Sequence, residues 1–116
     1  MKLHQYLALL ISEECHEVGQ RATKLARFGL YEKQPGQDGT NRDRLQMEMN
    51  DLCIIYELLD NCTIAVPGLT NGVRIRKYEK LVKYTQYAVE QGSLPSSLVD
   101  ELSTCITEFK EFHGIK

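Results

Sequence analysis

Apolar side chains recur along this chain at alternating steps of three and four residues, and each run is closed by glycine or proline. That rhythm is the period of an α-helix with one covered side, and no stretch shows the alternation of a strand. Leu3, Leu7 and Leu10 begin a helix placed from about residue 3 to Arg27, ended by Phe28-Gly29. LYEKQPGQDGT, residues 30 to 40, has no period and reads as a loop. Thr40 or Asn41 can cap a second helix reaching about Asn61, with Leu45, Leu52, Ile55 and Leu59 on its covered side. After VPGLTNG, a third helix runs from about Val73 to Gln91 and covers Ile75, Tyr78, Leu81, Val82, Thr85 and Ala88. A fourth follows Leu94-Pro95, with Ser96 or Ser97 as cap and Leu98, Leu102, Cys105, Ile106, Phe109 and Phe112 inward, and stops at Gly114. The expected fold class is all-α, a four-helix bundle.

The 116 residues suffice for one modest core, so a single domain over 1–116 is expected. Fourteen basic against sixteen acidic residues leave a net charge of -2. No overall field then recruits nucleic acid or an anionic membrane, and a phosphate partner must be held locally. The apolar run Leu7 to Ile11 is far too short to span a bilayer, and no signal peptide or anchor is expected. Cys15, Cys53, Cys62 and Cys105 form no CxxC pair and read as reduced thiols of a cytoplasmic protein.

The covered sides are interrupted by acids. Continuing the first stripe past Leu10 lands on Glu14 and Glu17, and the step from Leu45 reaches Glu48 before Leu52, with Asp51 just to the side. Unpaired carboxylates gathered inside a bundle repel strongly even at intermediate dielectric. Protonating several of them at neutral pH demands extreme pKa shifts, so a divalent cation is the simpler remedy. An all-oxygen donor set selects a hard ion, Mg²⁺ with Mn²⁺ as substitute, and Mg²⁺ commonly shares substrate phosphates. The blander reading of EECHE is a solvated acidic turn, which suits Glu13 best. Glu13 and His16 also spell the ExxH of iron-carboxylate bundles, but that site needs the motif twice and the second helix has no histidine.

The spacing E-E-x-x-E at Glu13, Glu14 and Glu17, then E-x-x-D at Glu48 and Asp51, resembles the all-α nucleoside triphosphate pyrophosphohydrolases, the MazG-like family. EECHEVGQRATKLARFGL and TNRDRLQMEMNDL look like the small single-domain members from bacteria and their phages. The likeness covers about residues 5 to 90, within a motif-bearing core of about 3–91; the last helix, about 96–113, carries no signature of the family. The resemblance implies Mg²⁺-dependent cleavage between the α and β phosphates, giving monophosphate and pyrophosphate. By match, Glu14, Glu17, Glu48 and Asp51 become metal ligands and Glu13 an auxiliary acid, with Glu13 or Glu17 as the base. It also implies a homodimer or homotetramer whose helices complete the bundle, in a bacterial cell or phage-infected host.

Cations for phosphate are plentiful on the third helix. Arg76 and Lys83 fall opposite the covered side and read as solvated, whereas Lys77 and Lys80 lie nearer it, at spacings similar to phosphate-contacting lysines of look-alike chains. Lys24, Arg27, Asn41 and Arg44 are further substrate candidates; helix-end charges and a cap are their duller readings. Leu7, Leu10, Phe28, Tyr31 and Tyr56 could line a base pocket or simply a core. Two other functions stay open: a helical interaction module without chemistry, and a hydrolase of a related signalling nucleotide.

Overall fold

The computed structural model describes residues 1–116: four α-helices and no strand. They are α1 (Leu3–Phe28), α2 (Asn41–Cys62), α3 (Asn71–Glu90) and α4 (Ser97–His113). The all-α expectation holds, and each helix begins and ends within two residues of the position its pattern implies. The chain divides into two compact units, Met1–Val66 with α1 and α2, and Pro67–Lys116 with α3 and α4.

In the first unit α1 runs 26 residues without proline and stops at Gly29, whose φ of 96° lies where a side chain would be strained. The connection that follows folds back on the start of α2. Asn41 N–H donates to the Glu32 carbonyl at 2.9 Å, and Arg42 N–H to the Leu30 carbonyl at 2.9 Å. Thr40 and Asp43 then close a reciprocal cap: the Asp43 N–H donates to Thr40 Oγ1 at 3.1 Å and the Thr40 N–H to Asp43 Oδ2 at 2.9 Å. Gly39 precedes this cap at φ 83°, and a Cβ there would stand 3.2 Å from Asp43 Cβ. Both constraints call for glycine.

In the second unit Thr70 caps α3 by accepting from Val73 N–H at 3.2 Å. α4 ends at Gly114, beyond which Ile115 N–H reaches the Lys110 carbonyl at 2.8 Å and Ile115 is buried. A groove of about 480 Å³ runs between α3 and α4, floored by Ile75, Tyr78, Val82 and Ile106.

Covered sides follow the helical period, with exceptions. Leu45, Leu52, Ile55 and Leu59 on α2 are half-buried, as are Leu98, Leu102 and Ile106 on α4. Leu3, Leu81, Cys105, Phe109 and Phe112, expected inward, are exposed, Leu3 at 61% and Phe112 at 85%. The physical reason is geometric: a helix packed on one neighbour covers only a narrow arc, so side chains one step off its centre stay in solvent. Leu7 and Ile115 are the only buried apolar residues, 6% and 7% exposed, and no side chain is fully enclosed. All four cysteines are free thiols and exposed. No helix is long and apolar enough to cross a membrane.

Candidate metal centre

α1 and α2 pack against each other, and Asn41 near Gly29 together with Glu14 near Glu48 and Asp51 fixes them as antiparallel. Along α1 the covered residues are Leu7, Leu10, Ile11, Glu14, Val18, Arg21, Lys24 and Leu25; along α2 they are Asn41, Arg44, Leu45, Glu48, Leu52, Ile55 and Leu59. Glu14 and Glu48 therefore occupy places an aliphatic residue would otherwise fill. Glu17 does not. Past Glu14 the covered side moves to Val18, because 3.6 residues per turn favours a step of four there, and Glu17 is exposed. Asp51 is exposed as well, so the expectation of four inward acids is corrected to two, with Asp51 and Glu17 at the edge.

Carboxylate oxygens of Glu14, Glu48 and Asp51 all lie within 4.8 Å of one another. Glu14 Oε2 is closed off from water and has no hydrogen-bond partner. Its pKa is raised above the ordinary value of 4.5, first by loss of hydration, then by repulsion from Asp51, Glu48 and Glu17, and last by a hydrogen bond that its protonated carboxyl can share with Glu48. Glu17 is thus electrostatically part of the cluster although outside the converging group. An orphaned carboxylate oxygen among like charges is what a cation would satisfy. The donor set is oxygen throughout and fits a hard ion.

The remaining expected residues are distributed as follows. Glu13 is exposed on α1. His16 Nδ1 donates to the Ser12 carbonyl at 2.7 Å and stays outside the cluster, as the lack of a second ExxH implied. Lys24 is half-buried and Arg27 exposed; both border a shallow groove on α1 with Gly19, Thr23 and Phe28. Asn41 is buried, its side-chain amide donating to the Gly29 carbonyl at 2.9 Å. Arg44 is half-buried one turn into α2. Lys77 and Lys80 are exposed on α3 in the second unit. Of the base-pocket candidates only Leu7 is buried; Phe28, Tyr31 and Tyr56 are exposed.

Comparison with protein-family models, with curated proteins and with solved structures yields no match. The site is therefore read from its own chemistry.

Proposed function

We propose that the chain is a Mg²⁺-dependent nucleoside triphosphate pyrophosphohydrolase that cleaves between the α and β phosphates. The observation that carries the reading is the meeting of Glu14, Glu48 and Asp51 from two helices, with one Glu14 oxygen unpartnered. The E-E-x-x-E and E-x-x-D spacing supports it further. Glu14, Glu48 and Asp51, with Glu17 beside them, hold the ion. Bound there, Mg²⁺ supplies positive charge for phosphate oxygens and acidity for a coordinated water. Glu13 or Glu17, both exposed and outside the converging group, is the carboxylate that takes the proton from attacking water. Lys24 and Arg27, a few turns along α1, together with Arg44 near the start of α2, neutralise the phosphates, and Lys77 and Lys80, on α3 of the second unit, are given no part in this site. Asn41 acts by fixing α2 against the end of α1. A homo-oligomer belongs to the reading, since exposed apolar residues such as Met47, Ile54 and Leu58 on α2 want cover.

The test is a panel of ribo- and deoxyribonucleoside triphosphates with Mg²⁺ or Mn²⁺, following pyrophosphate and monophosphate release. A folded sample silent on every member rejects the proposal. The same exposed apolar surface favours a second reading, a helical interaction module without chemistry. Titration calorimetry separates them: the module takes up no heat at millimolar Mg²⁺.

A further inference from the structure

α3 has a second side that the metal-centre reading leaves unused. At about 100° per residue, Arg76, Lys77, Lys80, Lys83, Tyr84 and Tyr87 fall within an arc of about 120°, over about 16 Å of helix. All six are exposed, Tyr84 at 61% and Tyr87 at 59%. The partly covered residues Ile75, Tyr78, Val82, Thr85 and Ala88 define the other side. The nearest acids, Glu79 and Glu90, fall about 40° and about 20° beyond the Lys83 edge of the strip, and Glu79 and Lys83 both border the groove toward α4. Lysine precedes tyrosine by one turn twice, Lys80 with Tyr84 and Lys83 with Tyr87, so each ring stands beside a cation. The near-zero net charge averages this away.

A run of four cations leading into two large, exposed aromatic rings on one strip matches one kind of polymer: phosphates spaced along a chain, with flat bases free to stack. We propose that this side of α3 binds single-stranded nucleic acid, with Arg76, Lys77, Lys80 and Lys83 on phosphates and Tyr84 and Tyr87 under unpaired bases. A duplex hides its base faces and is a poorer fit. A membrane surface is disfavoured because the apolar side that would have to insert is turned toward α4; besides the two tyrosines, only Val73, in line with the strip at its start, and Leu81, beyond its edge, are exposed large apolar residues of α3, at 37% and 39%. The binding needs neither the metal nor the carboxylates, so it stands or falls apart from the hydrolase reading.

The experiment is fluorescence anisotropy of a dye-labelled oligothymidine of about twelve nucleotides, a typical single-strand site size, in EDTA. Neutralising four phosphates gives a log–log salt slope of about -2.8, so affinity falls about fiftyfold between 50 and 200 mM salt. R76Q/K83Q should lower affinity and flatten that slope by about half. Y84A/Y87A should lose at least about fivefold per tyrosine with the slope unchanged, and Y84F/Y87F should bind as the unaltered chain does. Circular dichroism confirms that each variant is folded, and D51N should bind normally. No anisotropy change up to about 1 mM protein, beyond the usual non-specific range, overturns the proposal. So does full affinity in a folded Y84A/Y87A, equal affinity for duplex, or preference for anionic vesicles that compete the oligonucleotide away.

Discussion

Asn41 Nδ2 donates to the Gly29 carbonyl at 2.9 Å across twelve residues of sequence, joining the last turn of α1 to the first turn of α2. Asn41 is the only buried polar residue, 3% exposed. Its backbone N–H is also used, on the Glu32 carbonyl. One side chain thereby holds the two helices that present Glu14, Glu48 and Asp51.

Replacing Asn41 by alanine leaves the Gly29 carbonyl without its donor. Gly29 itself is exposed and water can reach its carbonyl, so the expected cost is about 1 kcal/mol, the net worth of one intramolecular hydrogen bond. Urea unfolding followed by circular dichroism should show the midpoint falling with little change in slope. An unchanged midpoint means that water serves Gly29 equally well.

Glu14 gives a pH dependence of defined sign. Its folded-state pKa lies above the ordinary 4.5, so between those two values the folded state holds more protons than the unfolded chain. Its contribution to stability is full below 4.5 and is lost as pH rises through the raised value. Without divalent ions, Glu14→Gln should therefore be more heat-stable than the unaltered chain at neutral pH, with the difference vanishing under acid. Added Mg²⁺ should raise the melting temperature of the unaltered chain and leave that of Glu14→Gln nearly unmoved.

Asp51 is exposed, so its loss should leave the fold alone and weaken the centre. Asp51→Asn is expected to reduce Mn²⁺ affinity by about tenfold or more, read by calorimetry or paramagnetic resonance, and to reduce triphosphate hydrolysis by about a hundredfold or more. Wild-type affinity in this variant removes Asp51 from the ligand set.

The start of α2 titrates in the opposite sense. Hydrogen bonds from Thr40 hold the Asp43 pKa below its ordinary 3.8, so the cap stabilises the fold above that value and is lost as pH falls through the lowered one. Thr40→Ala should cost about 1 kcal/mol at neutral pH, and Gly39→Ala a similar amount or more because of the φ of 83° and the approach to Asp43. Both losses are measurable by thermal unfolding.

Helix positions, stops and the Thr40 cap were legible in the sequence because they depend on neighbours within one turn, whereas Ser96, expected with Ser97 as a cap, stands at the start of α4 without a side-chain hydrogen bond. Thr40 before Asp43, Gly29 after Phe28 and Gly114 after His113 each act through backbone only a few residues away. The stripe through Leu45, Glu48 and Leu52 was legible for the same reason. Leu81, Phe109 and Phe112 were misplaced because the period gives the direction of a side chain and not how wide a neighbour covers it. Glu17 was drawn inward by a step of three where the true turn passes on to Val18. The tie from Asn41 to Gly29 had no local signal at all.

By itself the sequence determined four amphipathic helices and an excess of carboxylate on two of them, since helical period and capping are short-range and need no knowledge of what lies across the gap. Only the tertiary structure decided that Glu14, Glu48 and Asp51 meet while Glu17 stands aside. That choice rests on the relative rotation and offset of α1 and α2, set by packing and by Asn41 holding Gly29, contacts between residues far apart in the chain.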